Sequence, residues 1–87
     1  MRVKLITGVT GDQDLGLLQV RAIRVAGTSA LAGAVVVKYG STTFETLAVA
    51  TAVGVERLYH DVASNNDTGT FKVNMANAGD AVLVFYT

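Results

Sequence analysis

The stretch Ala81-Val-Leu-Val-Phe-Tyr86 decides the fold that the sequence predicts. In a strand, alternate side chains point to opposite faces, so Leu83 and Phe85 share one face while the two valines and the tyrosine share the other. A strand that is apolar on both faces is normally central in a sheet or covered on both sides. We therefore expect residues 81–86 to pair within a sheet and to leave one apolar face for a second covering surface.

The rest of the chain repeats this kind of segment. Short runs rich in Val, Thr, Tyr and Phe alternate with clusters of Gly, Asn, Asp and Ser at intervals of about ten residues, which is typical of a sandwich or barrel. The sequence thus predicts an all-β fold, a small antiparallel jelly-roll-like β-sandwich of about seven or eight short strands. The expected strands are Arg2 to Thr7, Leu17 to Val25 with a bulge near Ala22-Ile23, Ala34 to Tyr39, Thr43 to Val49, Val55 to Val62, Thr70 to Met75 and Ala81 to Tyr86.

Turn-forming residues separate these expected strands. Gly40-Ser41-Thr42 predicts a hairpin with a three-residue loop, residues 8–12 and 76–80 predict turns, and residues 63–69 predict a polar loop. Alternation within each strand then assigns one set of side chains to the interior. The predicted core contains Leu5, Val35, Val37, Leu58, Phe71, Val73, Val82 and Val84.

Composition indicates a partner. At 87 residues the chain has room for one domain, residues 1–87, with one core. Apolar residues make up 51% and charged residues only 16%, against about 25% charged in a typical domain. A chain of this size buries only about 63% of its unfolded surface, so its large remaining surface needs charge to stay in water. Low charge therefore suggests that a partner covers part of the surface, most simply another copy of the chain.

The charge pattern argues against two classes of partner. Seven basic and seven acidic residues cancel, and neither sign is clustered, whereas nucleic-acid binding depends on clustered Lys and Arg. The N-terminal stretch is too short for a signal peptide, and the longest uncharged stretch, 25–37, falls below the roughly 18 residues that span a bilayer. We expect a soluble chain with no nucleic-acid and no membrane partner. The lack of cysteine excludes disulfides and thiolate metal sites.

Two N-terminal patterns resemble ligand-binding loops. Gly8, Gly11 and Gly16 follow the first expected strand, but a nucleotide-binding loop must lead into a helix of a βαβ unit, which this chain cannot hold. Asp12 and Asp14 stand as in a calcium loop, yet the twelfth position carries Ile23 instead of a bidentate glutamate. Turn glycines and a solvated turn are the expected alternatives.

The only histidine is the remaining candidate for catalysis. His60 lies near Glu56 and Asp61 in sequence, but no nucleophile or orienting group accompanies it. Asn66 begins a glycosylation sequon, which in a chain without a secretion signal we interpret as a polar loop. We therefore expect no enzyme activity, with no catalytic, metal or cofactor-binding residue.

Aromatic residues supply the binding hypotheses. Tyr39, Tyr59 and Tyr86 are candidates for a sugar-binding face, or for tyrosines at the rim of a protein interface. The apolar final strand favours the interface. The interface candidates are Leu83, Phe85, Tyr86 and Tyr39, and the expected assembly is a homo-oligomer, with a trimer favoured.

The order of the strands resembles that of a known group of proteins. This group consists of the small β-sandwich proteins encoded among the structural genes of tailed bacteriophages, including capsid decoration proteins and head-fibre or tail accessory subunits. The likeness covers about two-thirds of the chain and is one of pattern, so no site residues are transferred by it. The segments that carry it are Val25-Ala26-Gly27-Thr28, residues 34–39, residues 40–47, Gly69 to Val73 and residues 78–86.

The resemblance implies a role and a location. It implies a homo-oligomer, often a trimer, attached to the major capsid protein or to a tail protein on the surface of a virion. A small carbohydrate-binding module is the alternative that the sequence leaves open.

Overall fold

The computed structural model describes residues 2–16, 20–59 and 70–87. It confirms the predicted fold class, because the described residues form two antiparallel sheets of four strands each, packed as a sandwich. The strands are β1 (Arg2–Thr7), β2 (Gly11–Gly16), β3 (Val20–Ala26), β4 (Val35–Tyr39), β5 (Thr42–Leu47), β6 (Glu56–Leu58), β7 (Phe71–Met75) and β8 (Ala81–Tyr86).

The two sheets have the topology of a jelly roll. Sheet A has the order β1-β8-β3-β6 and sheet B the order β2-β7-β4-β5. The pairing is nested, since β1 pairs with β8, β2 with β7, β3 with β6 and β4 with β5, always antiparallel. A long hairpin of four strand pairs that rolls up on itself produces this order. The position of β8 between β1 and β3 is the central one that its two apolar faces predict.

The core lies between the inner faces of the two sheets. Phe71, on β7, is the largest of its fully buried side chains. Alternation on β4 and β7 matches the prediction, with every second residue buried. Six predicted core residues are confirmed, each fully buried: Val35, Val37, Phe71, Val73, Val82 and Val84.

The other two core predictions are wrong. Leu5 is 55% exposed and Leu58 is 69% exposed. The buried positions on these edge segments belong to Ile6, which lies opposite Val82, and to Tyr59. Each leucine therefore points away from the core, to the outer face of sheet A.

Three details of the predicted strands are also corrected. The expected turn around Asp12 and Asp14 is the edge strand β2, paired with β7. The hairpin loop contains two residues, Gly40 and Ser41, instead of three; Gly40 has φ 62°, a backbone conformation that glycine adopts without strain. The bulge in β3 falls at Arg21, one residue before the predicted position.

Parts of three predicted elements lie outside the described residues. They are the first residues of the strand expected from Leu17, the end of the strand expected to reach Val62, and the polar loop at residues 63–69.

One end of the sandwich is held together by a buried carboxylate. Asp80 is only 7% exposed, and its two carboxylate oxygens accept hydrogen bonds from the backbone N–H groups of Ala32 and Gly33, each at 2.9 Å. Thr7 Oγ1 donates to the backbone carbonyl of Asp80 at 2.9 Å. A side chain at Gly33 would place a Cβ 2.8 Å from the Cβ of Ala76, so the loop can approach this turn only with glycine. The end of β1, the β3–β4 connection and the β7–β8 connection are thereby fixed to one another.

Replacement of Asp80 by alanine should destabilise the domain. Two backbone donors would lose their acceptor, and a buried donor without a partner costs about 1–3 kcal/mol. In a domain of this size each kcal/mol lowers the melting temperature by roughly 4–8 °C, which thermal unfolding followed by circular dichroism can measure. Asp80→Asn keeps one acceptor and should lose less; an Asp80→Ala variant that melts like the parent protein would contradict this role.

Candidate functional site

The outer faces of the two sheets differ in chemistry. On sheet A, a row of apolar residues crosses all four strands: Val3 lies opposite Phe85, Phe85 opposite Ala22, and Ala22 opposite Leu58. The register places Ala22 on the outer face, where it is nevertheless only 5% exposed, between two much larger neighbours. An apolar row of this length on the outside of a small domain is a candidate interaction surface.

A second row runs beside the first and adds one ion pair. Leu5 lies opposite Leu83, Leu83 opposite Arg24, and Arg24 opposite Glu56. Both Nε and Nη2 of Arg24 donate to Glu56 Oε2, at 2.9 and 2.7 Å. The guanidinium carbon also lies 5.0 Å from the ring centre of Phe85, within the range of a cation–π contact. This second row therefore carries no net charge, and its arginine is held against Phe85 of the first row.

We call these outward side chains the apolar face. Val3 and Leu5 are 54% and 55% exposed, and Leu58 is the most exposed of its large apolar side chains. Beside Phe85 the apolar face contains a shallow depression of about 230 Å³, large enough for part of a partner's side chain. The chemistry that the apolar face offers is hydrophobic contact around the partly exposed ion pair of Arg24 and Glu56, with the exposed Arg21 at the edge of the depression. Its residues are Val3, Leu5, Ala22, Arg24, Glu56, Leu58, Leu83 and Phe85.

The structure divides the four interface candidates. Leu83 and Phe85 lie on the apolar face and are partly exposed. Tyr86 lies on the opposite side of β8, where it packs against the core. Tyr39 is 6% exposed inside the core, so its assignment to an interface is corrected: a side chain buried between the sheets cannot contact another subunit.

The sequence analysis missed the exposed members of the apolar face. Leu5 and Leu58 were assigned to the core, and Val3 was not singled out, because a large apolar residue on a strand ordinarily faces the core. The alternation of Val3 and Leu5 with charged residues was visible in the sequence. Only the pairing of Ile6 with the buried Val82 shows which side of β1 faces the core.

The outer face of sheet B is polar and internally hydrogen bonded. Asp12 Oδ1 accepts from Asn74 Nδ2 at 2.8 Å and pairs with Lys38 Nζ at 3.2 Å. Hydrogen bonds from Asn74 and Lys38 lower the pKa of Asp12 below its usual value.

Asp14 on the same strand is satisfied in a similar way. Its Oδ1 accepts from the backbone N–H of Gly16 at 2.9 Å, and its Oδ2 accepts from Thr70 Oγ1 at 2.8 Å. These two bonds lower the pKa of Asp14. Together with the hydrogen bonds of Asp12, these bonds connect β2 to neighbouring segments through side chains. They add to the backbone hydrogen bonds that pair β2 within the sheet.

These contacts also bear on the calcium hypothesis. The Asp12 carboxylate is already engaged by an ammonium group, which occupies the position that a cation would need. Within residues 2–16, 20–59 and 70–87, no group of three or more His, Cys, Asp or Glu side chains could hold a metal ion. His60 and the sequon at Asn66 lie outside the described residues. The described residues include no helix with the length and apolar character needed to cross a lipid bilayer.

Tyr59, one of the three tyrosines considered for a sugar-binding face, lies at the edge of the sandwich where β6 and β5 are linked. Tyr59 is only 8% exposed, next to the ion pair between Arg57 Nε and Glu45 Oε1 at 3.0 Å, which links β6 of sheet A to β5 of sheet B. Burial, and then the charge of Glu45, raise the pKa of Tyr59 and keep its phenol neutral. A sugar-binding face needs exposed rings, and neither Tyr59 nor Tyr39 provides one.

No protein-family model matches the chain, and neither a curated protein nor a solved structure matches it. Function is therefore inferred from the chemistry of the two outer faces.

The lowered pKa values on β2 predict a pH dependence of stability. Because folding favours the ionised carboxylates, their contribution is present above the ordinary pKa of 3.8 and is lost as the pH falls through the lower folded values. The double variant Asp12→Asn/Asp14→Asn should be less stable than the parent at about pH 6, and the difference should shrink towards about pH 2. Melting temperatures measured across this range would contradict the prediction if the two proteins differed by a constant amount.

Proposed function

We propose that this protein is a non-enzymatic structural subunit of a bacteriophage virion, a capsid decoration or stabilising subunit that associates with copies of itself and with the major capsid protein. The apolar face of sheet A is the observation that carries this proposal. It is built from side chains on all four strands of the sheet, and an exposed surface of this kind on a small protein marks an interaction site.

The chemistry of the apolar face suits a lasting interface. Stable interfaces have an apolar centre with few charged residues, enriched in aromatic residues and arginine. Phe85 and the paired Arg24 supply both, and the other members are Val, Leu and Ala apart from Glu56, which neutralises the arginine. Arg24 reaches the interface already paired, so association need not bury an isolated charge.

Size and architecture agree with a structural role. The broadest face of a body measuring 35 × 24 × 18 Å is close in area to the roughly 800 Å² per partner that a stable interface buries. The jelly roll is an architecture shared by viral capsid proteins and lectins. The likeness to small phage virion proteins favours the first of these classes, and two of the three tyrosines on which a lectin-like role depended, Tyr39 and Tyr59, are buried.

Leu58→Asp should disrupt self-association without unfolding the chain. The side chain is 69% exposed on an edge strand, so the subunit tolerates a carboxylate there, whereas an apolar interface does not. We expect the parent to be oligomeric at about 10–100 µM and the variant to be monomeric, with hot-spot losses of about 2 kcal/mol or more. Light scattering coupled to size-exclusion chromatography measures both masses.

Thr46→Asp is the matched control for this experiment. It adds the same charge to an exposed position of β5, the corresponding edge strand of sheet B, and should keep the parent's mass. A parent that is monomeric at these concentrations, or a Leu58→Asp variant with the parent's mass, would remove the basis for self-association through the apolar face.

The assignment to a virion has its own test. The purified protein should bind capsid shells of the phage whose genome encodes it, in a fixed number per shell, as measured by co-sedimentation and electron microscopy. Mass spectrometry should detect the chain in purified virions, and its gene should lie near capsid, portal and protease genes. Absence from the virions of that phage would refute the proposed location even if the protein self-associates.

A further inference from the structure

Exposed large apolar side chains lie on two kinds of element in this molecule. In the described part of the chain they are Val3, Leu5 and Leu58 on the apolar face, and Val49 and Val53 in the connection between β5 and β6. The two valines lie outside the four strands that form the apolar face. Their position therefore needs an explanation of its own.

The valines belong to an uncharged end of the sandwich, which we call the loop end. It consists of the four connections that follow β1, β3, β5 and β7: residues 8–10, 27–34, 48–55 and 76–80. Almost all of these residues are Gly, Ala, Val, Ser, Thr or Leu, and the only charged one is Asp80. Because Asp80 is buried and hydrogen bonded to backbone N–H groups, the loop end presents no charged side chain to its surroundings.

Backbone hydrogen bonds order the loop end. Leu31 and the 48–55 connection exchange two of them, from Leu31 N to Thr51 O at 3.0 Å and from Ala50 N to Leu31 O at 2.8 Å. Ala50 has φ 71°, in the left-handed region that residues other than glycine rarely adopt. Backbone strain of this kind persists where the surrounding structure imposes it, often at sites of interaction. The loop end is thus a preformed surface that holds Val49 exposed.

Symmetry limits what two different patches on one subunit can do. A two-fold dimer uses the same patch on both subunits, so a dimer joined through the apolar face would bury only that face. A ring of three or more subunits needs a heterologous contact, in which one patch meets a different patch of the neighbour. The apolar face and the loop end are two patches of similar chemistry, since apolar side chains make up most of both; the charged groups of the apolar face are the Arg24–Glu56 pair and, at the edge of its depression, Arg21.

We propose that the apolar face of one copy docks on the loop end of the next copy and that this contact closes into a small ring, of which the trimer is the smallest. This inference rests on the proposed self-association, and it identifies the loop end as the surface of the neighbouring copy on which the apolar face docks. Val49 and Val53 of each copy then pack against the exposed side chains of its neighbour, including Leu58. Both groups of exposed apolar side chains are buried by one kind of contact.

The relative orientation of the two patches supports closure. One patch is a face of the sandwich and the other is an end of it, so they lie on adjacent sides of the molecule. A contact between adjacent sides turns each copy through a large angle relative to the one before it, which is what a ring of few subunits requires. A heterologous contact whose rotation does not close builds an open filament instead.

Mixing two variants tests this arrangement. Leu58→Asp damages the apolar face only, and the double variant Val49→Asp/Val53→Asp damages the loop end only. All three side chains are at least 45% exposed, and circular dichroism verifies that both variants are folded. Native mass spectrometry and light scattering then determine the mass of each variant alone and of their equimolar mixture.

Head-to-tail docking predicts a specific result. Each variant alone should be monomeric, while the mixture should form a heterodimer with one chain of each, because it restores one intact apolar face opposite one intact loop end. The Thr46→Asp control, in which both patches are intact, should keep the parent's mass.

The contrary results separate this inference from the proposed function. If the loop-end variant keeps the parent's mass, or if the two monomeric variants fail to pair, docking on the loop end is refuted while association through the apolar face stands. If the parent is monomeric, or if Leu58→Asp keeps the parent's mass, both are refuted.

Discussion

The two apolar faces of β8 are the constraint from which the other features of this molecule follow. A two-layer sandwich has one interior, and that interior takes the Val82 and Val84 side of the strand. The central position of β8 extends its other side into a continuous surface, because β1 and β3 place further apolar residues next to Leu83 and Phe85. The described residues form two sheets and no third layer that could cover that surface. The polarity of sheet B shows that the same fold can be solvated normally, so the exposure of sheet A is a property of its residues.

The charged side chains also have different roles on the two sheets. The outer face of sheet B keeps its lysines and aspartates in water, Arg24 and Glu56 neutralise each other on sheet A, and the carboxylate of Asp80 is turned inward to hold backbone N–H groups. On the apolar side of the molecule Arg24, Glu56 and Asp80 are thus used for internal structure, whereas Arg2, Lys4 and Arg21 of sheet A are exposed. The few charges of the sequence are therefore distributed unevenly, and the connections that follow β1, β3, β5 and β7 present no charged side chain.

The sequence was sufficient for the fold class, the strands with strong alternation and most of the core, but it placed several edge features wrongly. Strand β2 was missed because Gly-Asp-Gln-Asp-Leu-Gly has little intrinsic preference for a strand; its pairing with β7 and the bonds of Asp12 and Asp14 form it. Leu5 and Leu58 were assigned to the core by the rule that large apolar side chains of a strand face inward. Both errors fall on one surface, the outer face of sheet A. The rule fails there because it presumes that water covers every outer face, and a local conflict of this kind is expected at a functional surface.

The nested pairing also sets the order of events when the protein is made. Sheet A joins β1 to β8, the strands furthest apart in sequence, so its completion must wait for closure of nearly the whole chain. On the ribosome, β1 and β3 emerge without the strand that lies between them, and sheet A forms only after residues 81–86 have left the exit tunnel. The apolar face therefore does not exist until β8 has been inserted between β1 and β3. Assembly through that face is postponed until then, and the unpaired edges of β1 and β3 leave the unfinished chain open to chaperones.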